Sequence, residues 1–240
     1  MTLGFFFTTL GYVVGALVFW WQLRARNLAT SGMTLIALAA WGGGIVGTKL
    51  TEWLTHSQIW KSDPALILNP HLGGRTILGG VLCGWLAVEI AKKQLGIARS
   101  TGDLFALALP AGEAVGRLGC FFNQCCYGVP TNVLWACNQH GDWRHPTQIY
   151  LAISAALVFL IVLRAQKHLS REGDLFKLYL TLFGLSRFAI EFWRERNVIF
   201  AGLSLAQLAC LAIALIGALG FARSHKKYAR IPAYFSGARR

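Results

Sequence analysis

The sequence predicts an all-α integral membrane protein of about seven transmembrane helices, with its N-terminus outside and its C-terminus in the cytoplasm. Of its 240 residues, 55% are hydrophobic and only 14% are charged. A soluble domain carries roughly 25% charged residues. Several apolar windows reach the roughly 20 residues that a helix needs to cross a bilayer. The excess of apolar residues must therefore face lipid.

Seven hydrophobic segments predict the spans, at approximately 3–22, 33–55, 76–96, 103–122, 147–165, 174–193 and 202–222. The first span has no basic region before it, and it ends at Trp20 and Trp21, which are typical interfacial anchors. We therefore expect a retained helix and no cleaved signal peptide. The longest polar stretch, 128–146, is loop-sized. We expect a single polytopic domain over residues 1–240, with an extracytoplasmic loop at about 124–146.

The basic residues lie mainly after the odd-numbered spans, which predicts the orientation because positive residues stay on the cytoplasmic side. Fourteen lie there: Arg24, Arg26, Lys92, Lys93, Arg99, Arg164, Lys167, Arg171, Arg223, Lys226, Lys227, Arg230, Arg239 and Arg240. Five lie opposite: Lys61, Arg75, Arg144, Arg194 and Arg196. The net charge of +13 could also indicate a nucleic-acid partner. Because the basic residues lie at the ends of hydrophobic segments and in the C-terminal tail, they favour orientation in the membrane, and we expect no nucleic-acid partner.

Ionisable residues inside the predicted spans are the candidates for a functional site. One such residue at mid-bilayer costs about 2.5–3.5 kcal/mol, so it persists where it is paired or functional. Glu113 and Arg117 are four residues apart, whereas Arg187, Glu191 and Arg194 are spaced by four and three. Each carboxylate thus has a basic neighbour on its own helix surface. Structural pairing is one interpretation; the other is that Arg117 and Arg187 converge on a phosphate, which a guanidinium binds in a bidentate way.

Four segments carry a resemblance to a known family. They are Gly-Gly-Arg-Thr-Ile-Leu-Gly-Gly at 73–80, Gly-Arg-Leu-Gly-Cys-Phe-Phe-Asn-Gln-Cys-Cys-Tyr-Gly at 116–128, Arg-His-Pro-Thr-Gln-Ile-Tyr at 144–150, and Ser-Arg-Phe-Ala-Ile-Glu-Phe-Trp-Arg-Glu at 186–195. In content and order they resemble the prolipoprotein diacylglyceryl transferases. The resemblance implies a multi-pass enzyme of the bacterial inner membrane and no cofactor. Such an enzyme moves a diacylglyceryl group from phosphatidylglycerol, or a similar phospholipid, to a lipobox cysteine in a preprolipoprotein signal peptide, and releases glycerol phosphate.

Carried over by position, the resemblance implies that Arg117 and Arg187 are the essential phosphate-side arginines. The family usually has a histidine at the position of Leu78, so the candidate bases are His145, Glu113 and, after them, His140. We expect His145 to help with the thiol proton and assign Glu113 to the catalytic set. The other residues expected at the substrate are Arg75, Gly79, Gly80, Asn123, Gly128, Gln148, Glu191 and Arg194.

Further departures from the family are Cys120 and Cys125, which replace its asparagine and glutamate. Together with Leu78 they favour an alternative, a non-catalytic phospholipid-binding or transport protein that kept the phosphate pocket. A third hypothesis is a redox or metal-handling membrane protein built around the cysteine loop, which is the segment 120–137 that holds four of the six cysteines.

The cysteines between 120 and 137 leave three uses open. An oxidising periplasm favours one or two disulfides across this loop. A metal site drawn from Cys125, Cys126, Cys137, His140 or His145 is the second, although we assign no metal ligands. A nucleophilic Cys120 or Cys125 is the third.

Overall fold

The computed structural model describes residues 2–55, 77–169, 171–194 and 198–229, and seven α-helices lie in this part of the chain. They are α1 (Leu3–Ala25), α2 (Ser31–Thr55), α3 (Ile77–Gln94), α4 (Gly102–Phe122), α5 (Thr147–Ala165), α6 (Asp174–Ile190) and α7 (Leu205–Ala229). A 3-10 turn, Glu191–Trp193, extends α6. One helix lies at each predicted span, although α7 runs past the predicted end at 222. Arg75 and the side chain of Leu78 lie outside the described residues.

Within the described residues, five helices are long and apolar enough to cross a membrane: Leu3–Ala25, Ser31–Thr51, Gly102–Phe122, Thr147–Ala165 and Leu205–Ser224. Helix α3 is more polar because Glu89, Lys92 and Lys93 lie in its last turns. Helix α6 has 17 residues and carries charges at both ends. The described chain is mostly helical, as expected of an integral membrane protein.

The chain forms two compact units: Met1–Gln22 with Ser100–Arg240, and Leu23–Arg99. In the second unit α2 packs against α3 through glycines. A Cβ atom on Gly43 would lie 2.7 Å from the Cys83 carbonyl oxygen, and one on Gly47 would meet Gly79. A Cβ atom on Gly80 would lie 2.8 Å from Thr48. Such small residues let helix backbones approach closely, so Gly79 and Gly80 line a helix contact within this unit.

In the first unit, α4, α5 and α6 share an apolar core. Its buried members are Ala106, Leu107, Val158, Val162, Leu175 and Tyr179. Helix α1 crosses α4 at a glycine contact, where a Cβ atom on Gly11 would lie 2.8 Å from the Gly112 carbonyl oxygen and from the Gly116 nitrogen. The glycine face of α4 therefore fixes how this helix is rotated about its axis.

The start of α6 is held by carboxylates. Asp103 accepts hydrogen bonds from the backbone N–H groups of Gly173 (2.8 Å) and Phe176 (3.0 Å). Asp174 accepts from the Ser224 hydroxyl (2.7 Å) and from Lys177 (2.9 Å). Negative charge is favourable at a helix N-terminus because the first N–H groups lack partners within the helix. These contacts fix α6, and the arginine near its far end, against α4 and α7.

A short hairpin lies within the 124–146 loop, where the sequence analysis predicted no regular structure. Strand β1 (Cys137–Gln139) pairs antiparallel with β2 (Asp142–Arg144). The two turn residues, His140 and Gly141, have φ angles of 55° and 87°, and positive φ at both positions suits a two-residue hairpin turn. A second pair, β3 (Val198–Phe200) and β4 (Leu203–Ser204), precedes α7.

The segment from Gly128 joins the hairpin to the end of α6. The Gly128 N–H donates to the His145 carbonyl oxygen (3.0 Å), and the His145 N–H donates to that of Val129 (3.1 Å). On the other side the Val129 N–H donates to the Trp193 carbonyl oxygen (2.9 Å), and Gly128 forms a bridge with Arg194. A Cβ atom on Gly128 would lie 2.7 Å from the His145 Cβ atom. Glycine at this position therefore lets the chain pass between His145 and Trp193.

The α1–α4 contact can be tested with two matched substitutions in one helix. Gly112→Ala places a Cβ atom 2.9 Å from the Gly11 carbonyl oxygen, whereas Gly116→Ala places one in open space. Both gain about 0.5–1 kcal/mol of helix propensity, but overpacking costs about 1–3 kcal/mol. We expect Gly112→Ala to lower the thermal unfolding midpoint in detergent and Gly116→Ala to leave it equal or higher. Equal midpoints for the two variants would contradict the contact.

Candidate active site

The site is centred on one carboxylate that binds two arginines from different helices. On α4, Arg117 lies one turn after Glu113 and donates to its Oε1 atom from Nε (3.1 Å) and from Nη2 (2.9 Å). On α6, Arg187 donates to the same oxygen from Nη1 (3.3 Å). The sequence predicted the Glu113–Arg117 pair from its spacing and the convergence of the two arginines as one of two interpretations. The structure brings all three side chains together.

This cluster is largely removed from solvent. The side chains of Arg117 and Arg187 are 10% and 11% exposed, and that of Glu113 is 18% exposed. The two guanidinium groups and one carboxylate leave a net charge of +1. Arginine has five N–H donors, and Glu113 uses two of those on Arg117 and one on Arg187. The cluster is therefore equipped to bind an anion.

A small cleft opens beside Glu113 and Arg187, between α4, α5 and α6. Its polar lining also includes Ser154, Ser186 and Tyr179, and its apolar lining includes Pro110, Leu151, Ala155, Val158 and Phe183. Tyr179, Ser154 and Ser186 were not among the predicted site residues, because single hydroxyl residues in apolar spans carry little signal. The spacing of Tyr179, Phe183 and Arg187 at intervals of four, which places them on one helix face, was the available signal.

A second ion pair borders the cluster at the end of α6. Arg194 donates from Nη1 to the Oε2 atom of Glu191 (3.1 Å), and the Glu191 side chain is 9% exposed. Arg187 lies close enough to Arg117 and Arg194 to be repelled by both. The Nε atom of Arg194 is buried and has no hydrogen-bond partner among the described residues. The bridge with Gly128 holds Arg194 next to the 124–131 segment.

His145 lies in an aromatic group on the hairpin side. Its Nδ1 atom is 3.1 Å from the Tyr150 hydroxyl, which accepts a 2.7 Å hydrogen bond from the Trp135 indole N–H. The Trp193 ring lies 6.5 Å from the imidazole, between ring centres. No hydrogen bond among the described residues joins His145 to Glu113 or to either arginine of the cluster. Tyr150 thus orients the imidazole, a role that the sequence analysis did not assign.

Three cysteines meet where α4 ends. All six cysteines of the chain are free thiols, so the structure contains none of the disulfides that the sequence left open. The sulfur atoms of Cys120, Cys125 and Cys126 lie within 4.8 Å of one another. The sequence had grouped Cys125 and Cys126 with Cys137, His140 or His145 as possible metal ligands. The structure instead groups them with Cys120, because the chain reverses after α4.

Hydrogen bonds among these thiols shift the pKa values of Cys125 and Cys126 in opposite directions. The hydrogen bond with Cys120, followed by that with Cys126, raises the pKa of the Cys125 thiol. Hydrogen bonds from Cys120 and then from Cys125 lower the pKa of the Cys126 thiol, and Arg194 and Arg117 add to this effect. Of the two cysteines beyond the helix, Cys126 is the one on which Arg194 and Arg117 act electrostatically.

The backbone of the cysteine loop is pinned by the start of α5. Gln148, which is fully buried, donates from Nε2 to the Cys125 carbonyl oxygen (2.8 Å) and to Gln139 Oε1 (2.9 Å). The Thr147 hydroxyl donates to the Cys126 carbonyl oxygen (2.8 Å). Of the residues expected at the substrate, Gln148 thus supports the loop, whereas the exposed Asn123 lies against the backbone of Gly4.

Comparison with known proteins shows that most of this chain matches one protein family. The model of the prolipoprotein diacylglyceryl transferase family matches residues 4–223. A phosphatidylglycerol–prolipoprotein diacylglyceryl transferase of Finegoldia magna is 28% identical over 214 residues, covering 88% of this chain and 86% of that protein. The protein of this name from Thermotoga petrophila is 32% identical, covering 82% and 73% of the two chains. That of Campylobacter curvus is 34% identical, covering 78% and 75%.

The shared carboxylate predicts a large stability effect of Glu113→Gln. Removing one partner of a buried ion pair costs about 3–5 kcal/mol because a charge stays buried without compensation, and here two arginines lose their common partner. Glu89→Gln is the matched control, since Glu89 is 45% exposed and pairs with Lys92 on α3; exposed pairs contribute about 0.2–1 kcal/mol. Unfolding free energies in detergent measure both variants. Similar small losses would contradict the buried cluster.

Proposed function

We propose that this chain, which belongs to the prolipoprotein diacylglyceryl transferase family, transfers a diacylglyceryl group at the Glu113–Arg117–Arg187 cluster. The donor is phosphatidylglycerol or a similar phospholipid, and the acceptor is a cysteine thiol in a preprolipoprotein signal peptide. The observation that carries this proposal is the pair of buried arginines on one carboxylate, with a net charge of +1. A phospholipid phosphodiester carries one negative charge, which this cluster neutralises.

The geometry supports recognition of a phosphate rather than of a bare charge. A guanidinium presents parallel N–H groups that match two phosphate oxygens. Glu113 orients Arg117 and Arg187 from one side, leaving their other donors for the ligand. The buried Arg194 Nε atom is a further donor without a partner among the described residues. Glu113 therefore acts as a positioning residue, because its Oε1 atom is already used by both arginines.

The transfer forms one carbon–sulfur bond and breaks one carbon–oxygen bond. The acceptor thiolate attacks the diacylglycerol carbon that carries the phosphate. Glycerol phosphate departs with the bonding electron pair, so negative charge on the phosphate grows from one to two as the bond breaks. Arg117 and Arg187, fixed in a site of low water content, stabilise that growing charge more than the charge of the bound lipid.

His145 is the candidate to take the thiol proton. A free thiol has a pKa of about 8.5, so it is only partly ionised near neutral pH and benefits from a base. Tyr150 holds the imidazole through Nδ1. If Nδ1 carries the ring hydrogen and donates a hydrogen bond to the Tyr150 hydroxyl, Nε2 has no hydrogen and can accept the thiol proton. The family's usual histidine at the position of Leu78 is absent, which leaves this role open to His145.

The membrane arrangement that fits this function has seven spans in a bacterial inner membrane, with the N-terminus outside. Five helices qualify as spans within the described residues, and the charge bias of the loops supports the orientation. The cysteine loop and hairpin then face the extracytoplasmic side, where a secreted acceptor arrives. The apolar wall of the cleft at Leu151, Val158 and Phe183 suits the acyl chains of a lipid that enters from the bilayer.

The transfer can be tested directly with phosphatidylglycerol and a short peptide that carries one lipobox cysteine. We expect the peptide to gain the mass of one diacylglyceryl group, and a Cys→Ser peptide to gain nothing. Arg117→Ala and Arg187→Ala each remove stabilisation of the leaving phosphate, so we expect about 10²–10³-fold lower kcat/KM. Arg164→Ala is the matched control, because Arg164 is exposed at the far end of α5. Full activity in either cluster variant would overturn the assignment, and lipid binding without transfer in the parent protein would favour a non-catalytic role.

The proton-transfer role predicts a pH-dependent defect in His145→Ala. We expect about 10²-fold or more loss of kcat near pH 7, the usual contribution of a general base. The loss narrows as the pH rises past about 8.5, because the acceptor thiol then ionises without help. Tyr150→Phe removes the hydroxyl that orients the imidazole and is expected to give a smaller defect of the same pH dependence. A pH-independent loss in His145→Ala would show that the imidazole only packs against Tyr150 and Trp193.

A further inference from the structure

We propose that Cys120, Cys125 and Cys126 form a binding site for one soft metal cation, Zn²⁺ or Cu⁺, coordinated by three thiolates. Their sulfur atoms lie within 4.8 Å of one another. A tetrahedral zinc site with Zn–S distances of about 2.3 Å has sulfur atoms about 3.8 Å apart. Side-chain rotations that move each sulfur by about 1 Å or less therefore suffice to close the site.

The backbone presents these thiols in a preset arrangement. Cys120 lies in the last turn of α4, and the chain then turns back through Gln124 and Cys126, whose φ angles are 50° and 61°. Non-glycine residues rarely adopt this left-handed conformation unless the surroundings impose it. Here the fully buried Thr147 and Gln148 hold the carbonyl groups of Cys126 and Cys125 at 2.8 Å. Two ligand positions are thus fixed by another helix before any ion binds.

The surroundings favour anionic sulfur over a role in packing. Buried cysteines that only fill space lie among apolar side chains, whereas all three of these are half-buried. Arg117 lies one turn before Cys120 on α4, and Arg194 forms a bridge with Gly128, two residues after Cys126. Two guanidinium groups offset the negative charge of a metal–thiolate group. Thiolate ligands select Zn²⁺ and Cu⁺ over Mg²⁺ or Ca²⁺.

When the ion binds, it replaces the protons of the three thiols. Three thiols lose three protons, three metal–sulfur bonds form, and no electron is transferred, so no oxidant is required. Among the described residues no fourth His, Cys, Asp or Glu ligand lies with the three sulfurs. A three-coordinate Cu⁺ ion is complete in this arrangement, and a Zn²⁺ ion keeps one open position.

Metal loading of the full-length protein in detergent tests the site without reference to transfer activity. The protein is reduced under argon and titrated with Co²⁺ as a probe for Zn²⁺, or with Cu⁺ against a chromophoric chelator. We expect one ion per chain, with a thiolate-to-cobalt charge-transfer band in the Co²⁺ titration if Zn²⁺ is the natural ion. Stoichiometric binding of Cu⁺ alone would identify Cu⁺. Binding of neither ion would overturn the proposal.

Single substitutions locate the ion. Cys120→Ser, Cys125→Ser and Cys126→Ser are each expected to weaken binding by at least about 10-fold, since loss of even an outer-shell partner of a metal ligand has an effect of that size. Cys137→Ser is the matched control, because its sulfur contacts the Trp135 carbonyl oxygen outside the cluster. Binding that survives all three substitutions, or that is lost in Cys137→Ser, would overturn the site.

A measurement on the unmodified protein covers the case in which a serine variant does not fold. The bound ion is expected to slow alkylation of Cys120, Cys125 and Cys126 at least 10-fold and to leave that of Cys137 unchanged, as read by peptide mass spectrometry. Equal alkylation rates with and without the ion would contradict the proposal. A disulfide joining two of the three cysteines in protein purified from membranes without reductant would replace it with an oxidative role.

Discussion

A single carboxylate oxygen of Glu113 accepts hydrogen bonds from two arginines on different helices. Each arginine alone would be expensive to bury between apolar helices, and the carboxylate compensates both only if α4 and α6 keep one relative register. Two further contacts maintain that register. The glycine crossing with α1 sets the rotation of α4, and the Asp103 carboxylate holds the start of α6. The site is therefore built into the helix packing.

Around this centre, the segment beginning at Gly128 connects the remaining groups. It pairs with His145 on one side and with Trp193 and Arg194 on the other, and it follows directly from the cysteine loop. A displacement of this segment would move the imidazole, the third arginine and the cysteines together. Glycine is required at 128 because a Cβ atom there would meet both neighbouring segments.

The two halves of the proposed chemistry come from different parts of the fold. The arginines that we propose bind phosphate lie on α4 and α6, beside a cleft with an apolar wall, as suits a substrate that arrives from the bilayer. His145, the proposed base, and Tyr150 lie next to the hairpin. Cys120 lies one helical turn after Arg117 on α4, so the thiol cluster begins next to an arginine that we propose binds phosphate. This chain therefore combines the proposed phosphate-binding arginines with a neighbouring cluster of thiols.

The sequence by itself determined where the seven helices of the described residues lie, the pairing of Glu113 with Arg117 and the family, because each depends on local patterns: apolar length, a spacing of four, and short ordered motifs. It also identified Arg187 and His145 as candidates, without showing which partners they have. Only the tertiary structure decided that Arg187 shares the carboxylate of a residue 74 positions earlier, that Cys120 joins Cys125 and Cys126, and that Tyr179 lines the cleft. These contacts depend on how separate helices pack and on left-handed backbone at Gln124 and Cys126. Both are set by long-range contacts, such as those from Thr147 and Gln148, which no local spacing encodes.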